Sequence, residues 1–89
     1  MSSMLTVWAM QAQFDKPLHK LVMIYVAEAG TYEGFWSGSE ADLAAFCCTS
    51  IPQVRVALRE LVNTGRLARK YRGDFVIQLP PGATIRGAL

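Results

Sequence analysis

SEADLAAFCCTSIPQVRVALRELVNTGRLARK, residues 39–70, decides the fold. It opens with Ser39 ahead of Glu40-Ala41-Asp42, a serine that can cap a helix followed by acids that suit the positive end of the helix dipole. Leu43, Ala44 and Phe46 follow, and this short helix is expected to stop near Cys47. Cys48-Thr49-Ser50 reads as a tight break. Ser50 then caps a second helix, predicted over residues 51–64, with Pro52 in the first turn, where a missing N–H costs nothing. Val54, Ala57, Leu58, Leu61 and Val62 recur at helical spacing and form its inner stripe. Gln53, Arg55, Val56, Arg59, Glu60 and Asn63 fall elsewhere on the cylinder, and Gly65 ends the helix.

Beyond Gly65 the period changes from 3.6 to 2. Residues 67–71 and 75–79 read as two strands joined through Arg72-Gly73-Asp74, a hairpin with a glycine-assisted turn. Pro80-Pro81 ends the second strand because proline lacks the ladder donor, and GATIRGAL, residues 82–89, is expected to be a loose tail.

Upstream, a helix is predicted over residues 17–29. Asp15 is the expected cap, Leu18, Leu21, Val22, Tyr25, Val26 and Ala29 the apolar stripe, and Gly30 a left-handed terminator. TYEGFWSG reads as a loop with a short strand at residues 34–36. In it Tyr32, Phe35 and Trp36 are expected to close the core beneath the sheet, the alternative being a partner surface. Residues 5–14 fit either a strand or a short helix. As a strand, Leu5, Val7 and Ala9 share one face and Trp8, Met10, Ala12 and Phe14 the other, and the pattern does not choose.

With 89 residues the chain is long enough for one domain, expected over residues 1–80, with 81–89 as its tail. Apolar residues make up 52% and charged residues 18%, below the usual ~25%, so a packed core is expected and self-association is favoured. The longest apolar run, residues 21–27, is far short of the ~20 residues of a spanning helix. The N-terminal stretch MSSMLTVWAM lacks the basic start and cleavage site of a secretory signal, so a cytoplasmic location is expected. Cys47 and Cys48 are adjacent and cannot staple distant segments; one is expected to be buried and the other to pack in the turn. His19, the only histidine, is expected on an exposed helix face; with two adjacent cysteines it makes no convincing metal site. No nucleophile–base pair, paired-acid site or phosphate-cradling glycine loop stands out, so neither an enzyme nor a cofactor is expected.

The net charge of +2 hides an asymmetry. Residues 1–50 hold Lys16 and Lys20 against five acids; residues 51–89 hold seven basic side chains against Glu60 and Asp74. A basic C-terminal half suggests a face for a polyanion. A major groove ~12 Å wide admits one helix, and a hairpin bearing Arg69, Lys70 and Arg72 suits neighbouring phosphates.

Residues 39–70 resemble the winged helix-turn-helix segment of phage and plasmid replication proteins and small transcription regulators. Ser39, Leu43, Ala44, Ser50, Val54, Ala57, Leu58, Leu61, Gly65 and Leu67 carry the resemblance, and Trp8-Ala9-Met10-Gln11 with Lys20-Leu21-Val22 extends it to about residues 8–79. It implies an α+β fold, a three-helix winged helix-turn-helix with a C-terminal β-hairpin wing. It also implies double-stranded DNA as partner, a role in transcription or replication of a mobile element, and a homodimer on paired half-sites. Ser50, Gln53, Arg55 and Arg59 are the expected groove residues, and Arg69, Lys70 and Arg72 the expected wing contacts. Two positions depart from the pattern. Cys48 stands where the turn usually has glycine, and Ile51-Pro52 stand where polar or basic residues usually open the reading helix. Ile51 is then expected to meet either a thymine methyl or a protein partner, and a protein-interaction module is the alternative reading.

Overall fold

The computed structural model describes residues 4–31, 34–70 and 74–79. The elements run α1 (Met4–Gln11), α2 (Pro17–Ala29), β1 (Phe35–Trp36), α3 (Glu40–Phe46), α4 (Ile51–Asn63), β2 (Leu67–Arg69) and β3 (Phe75–Ile77). The fold is α+β, as expected, but four helices rather than three appear among the described residues. Tyr32, Arg72, Pro80-Pro81 and the expected tail lie outside them.

The extra helix is α1, the segment whose pattern fitted two structures. Leu5, Trp8 and Ala9, at helical spacing, are buried, and α1 packs chiefly on α2. Strand alternation would have grouped Val7 with Leu5; Val7 is only half-buried. Lys20 Nζ donates to the Met10 carbonyl at 2.6 Å, serving one of the acceptors that the C-terminus of α1 leaves open. Trp8 meets Phe14 edge to face at 6.1 Å, which folds the connecting loop back onto the helix.

In α2 the buried face is rotated from the expected one. His19, Val22, Met23, Val26 and Ala27 are buried, whereas Leu21 is 38% exposed and Ala29 is exposed. The stripe was ambiguous because residues 21–27 are all apolar, so neighbours decide which face turns inward. Asp15 does not cap this helix; Lys16 occupies the cap position and its side chain makes no capping bond. Pro17 in the first turn removes one of the donors a cap would serve.

His19 is not exposed. It is 3% accessible, and its Nε2 lies 2.8 Å from Glu60 Oε1 on α4. A carboxylate only accepts, so Nε2 carries the hydrogen. Lys16 Nζ lies 3.3 Å from the same oxygen, and the two contacts tie the start of α2 to α4. Hydrogen bonds from His19, then Lys16, hold the Glu60 carboxyl below the ordinary carboxylate range.

Gly30 ends α2, but in an extended conformation (φ −89°) rather than a left-handed one. Glycine is needed there for space: a Cβ would sit 2.6 Å from the Phe35 carbonyl oxygen and 2.8 Å from that of Val26. At Gly65 the reverse holds. Nothing lies within 4 Å, and φ is +82°, so conformation alone demands glycine.

The strands form an antiparallel sheet in the order β1-β3-β2. Trp36 pairs with Phe75, and Leu67 with Ile77; all four side chains are buried. The hairpin strands are shorter than expected, although Lys70 N still donates to the Asp74 carbonyl at 3.0 Å. Leu58, Leu61, Leu43, Val22, Val26 and Met23 fill the centre, where helices and sheet meet in one buried cluster.

Two substitutions test this packing. Gly30→Ala should destabilise by about 2 kcal/mol, the usual scale of forced overpacking, measured by urea unfolding. Glu60→Gln should lower stability at pH 7. Because the folded carboxyl titrates below its unfolded value of about 4.3, its contribution is present above that pH and lost as pH falls through the folded value. The gap between the two proteins should therefore narrow below about pH 4.3 in urea midpoints taken across pH.

Candidate functional site

α3 and α4 present the candidate site, and local chemistry sets both. Ser39 Oγ accepts from the amides of Ala41 (3.1 Å) and Asp42 (3.3 Å), starting α3. Ser50 Oγ accepts from the Gln53 amide at 3.4 Å, starting α4. Ser50 thus serves as a helix cap, with its side chain near the exposed end of α4.

The chain reverses between these helices through Cys48, at φ +57°. This is the position where the resemblance expects glycine, and a side chain is accommodated there in the left-handed region. Amides in the turn return to α3: Cys48 N to Ala45 O at 3.2 Å and Thr49 N to Ala44 O at 3.0 Å. Cys47 is buried and Cys48 exposed. Burial, and secondarily the neighbouring Cys48, push the Cys47 thiol up.

Val54, Ala57, Leu58 and Leu61 bury the inner face of α4. Gln53, Arg55, Val56 and Arg59 are consequently exposed on its outer face, together with Ile51 and Pro52. Arg55 and Arg59 line an open cleft of about 450 Å³ beside the hairpin. Gly38, Glu40, Leu58, Arg69 and Phe75 complete its lining. The Arg69 guanidinium lies 5.0 Å from the centre of the Phe75 ring, a cation–π contact that steadies it at the cleft wall. Arg55 Nε donates to Glu40 Oε1 at 2.9 Å. Arg59 has no ion pair with any described residue.

Three of the candidate residues, Arg55, Arg59 and Arg69, therefore meet in one cleft. Gln53 and Ser50 lie toward the start of α4, outside its lining, and Lys70 is exposed next to Arg69. Glu40 and Phe75 are further lining residues that sequence reading did not assign. Glu40 was legible only as an acid at a helix start, and fifteen positions separate it from Arg55. No spacing rule links the two. Arg66, part of the basic half, is committed elsewhere: its Nη2 donates to the Gln13 carbonyl at 2.6 Å, and it lies over Phe14.

Among the described residues no group of histidine, cysteine and acidic side chains could hold a metal ion, and no helix is long and apolar enough to cross a membrane. No protein-family model matches the chain, and neither a curated protein nor a solved structure does.

The two thiols should separate kinetically. In native protein a disulfide reagent such as DTNB should modify Cys48 promptly and Cys47 only on unfolding; equal rates would contradict their burial.

Proposed function

We propose that the protein binds double-stranded DNA as a winged helix-turn-helix module. One observation carries this reading: the arginines of the exposed face of α4 and of β2 converge on a single cleft, with Glu40 as the one acid among the described residues of its lining. The element order supports it. A short helix, a tight turn and a longer helix with a free outer face precede an antiparallel hairpin, which is the arrangement the sequence resemblance implies.

On this reading α4 enters the major groove. Gln53 and Arg55 reach base edges, and Arg59, Arg69 and Lys70 bind phosphates. Arg72 belongs to the same wing by sequence. The module acts in the cytoplasm on transcription or replication of a mobile element, as a homodimer on paired half-sites. Affinity and register come from the phosphate contacts, and sequence preference from the two residues of the outer helix face.

A second reading rests on a different observation. Ile51 (36% exposed), Val56 (41%) and Phe46 (47%) place apolar side chains at the surface of α3 and α4. They suit a protein partner or a second copy of the chain.

Fluorescence anisotropy with a random-sequence duplex separates the readings. DNA binding should weaken steeply with salt. Arg59→Ala should weaken it on every sequence and flatten the log–log salt slope by about 0.9. Gln53→Ala should instead cost about 1–3 kcal/mol on a selected site and little on random duplex. No duplex binding at about 50 mM salt would overturn the DNA reading in favour of the second.

A further inference from the structure

The charged side chains that line the cleft, among the described residues, are basic apart from one. Three arginines and one glutamate line it, and the glutamate's carboxylate rests on an arginine that faces the same space. The pair is exposed, at 62% for Arg55 and 37% for Glu40, so it adds little to stability. Its larger consequence is for the cleft's charge. Glu40 engages Nε of Arg55 and places a negative charge among groups otherwise suited to an anion.

We propose that Glu40 is an internal competitor of phosphate. It occupies Arg55 and lowers the charge that the cleft offers to a polyanion, so that phosphate is held chiefly by Arg59 and Arg69. This rests on the reading that the cleft faces a phosphate backbone. Arg59 lies on one wall with no ion pair among the described residues, and Arg69 lies on the other, steadied over Phe75. Arg55 joins them only when Glu40 lets go or is neutralised. A duplex that binds tightly must outcompete a carboxylate already in place, which restrains indiscriminate attachment to any phosphate chain.

Glu40→Gln tests this. It removes the charge and keeps an oxygen able to accept from Arg55. Asp42→Asn is the control: it changes net charge equally on the same helix, but Asp42 borders a different groove, beside Tyr25 and Ser39. Two ligands are titrated into the full chain, a random-sequence duplex and inorganic pyrophosphate, and thermal melting checks that both variants fold. Glu40→Gln should bind the duplex about threefold tighter at low salt, the scale of one unit charge removed from a solvated cleft. Its log–log salt slope on random-sequence duplex should steepen by about 0.9, because the released Arg55, with no preferred base to read there, neutralises one more phosphate. It should also bind pyrophosphate more tightly, and Asp42→Asn should change neither ligand's binding.

Equal behaviour of the two variants overturns the proposal, as does weaker binding by Glu40→Gln, which would make Glu40 a support for Arg55 rather than a competitor. If the parent chain ignores duplex but Glu40→Gln alone gains pyrophosphate affinity, the DNA reading fails and the competitor role stands. If duplex binds and the variants are indistinguishable, the competitor role fails and the DNA reading stands. Silence toward both ligands removes both.

Discussion

The packing of α4 through Val54, Ala57, Leu58 and Leu61 is the constraint on which the rest of the structure depends. These side chains are at most 2% exposed and meet α2, α3 and the hairpin at once. Once they are buried, the rotation of the helix is set, because successive side chains around a helix are spaced by geometry rather than choice. Gln53, Arg55 and Arg59 then have to face outward. The start of α4 is set by Ser50 and its end by Gly65, so neither its length nor its rotation is free. Rotating it by a residue would bury an arginine and expose a leucine, a cost far beyond what a surface contact returns.

Polar ties between elements decide which cations remain available. Lys16 and His19 are spent on Glu60, Lys20 on the carbonyl at the end of α1, and Arg66 on the Gln13 carbonyl. Arg55 is half-engaged by Glu40. Among the described residues Arg59, Arg69 and Lys70 are left, all at the hairpin end of α4 or beside it. Among the described residues of the second half the basic excess thus becomes a local feature, because Arg55 and Arg66 are engaged within the fold. For Lys20 and Arg66 the partner is a backbone carbonyl, so these two are engaged without an acid.

The parts of the fold governed by local rules were legible in the sequence. Both serine caps, the break at Cys48, the extent of α4, the glycine that ends it and the hairpin follow from residues within a turn of one another. The parts set by partners far along the chain were not. The buried face of α2 depends on which neighbours arrive, since an all-apolar run has no preferred side. His19 looks like a surface residue until Glu60, forty-one positions later, is brought to it. The first segment became α1 because α2 offered it an apolar face, whereas its own alternation was equally compatible with a strand. Within the candidate site, three of the expected cations did gather in one cleft. Glu40, the residue that qualifies them, was hidden by sequence distance.

A net charge of +2 on the whole chain is no obstacle to the proposed function, because counterion release counts the phosphates neutralised rather than total charge. The three cations left among the described residues, Arg59, Arg69 and Lys70, contribute about −2.7 to the salt slope per chain. That is shallow beside proteins that make many phosphate contacts, so a single copy would hold duplex weakly and lose it readily as salt rises. Two copies on adjacent half-sites double the exponent, since each makes the same phosphate contacts, and tethering the second copy raises its effective concentration. Phe46, 47% exposed on α3, offers apolar surface through which copies associate on this reading. On this view the two readings of the outer surface are linked, since a module with few free cations needs a partner of its own kind before its weak grip on phosphate becomes selective attachment.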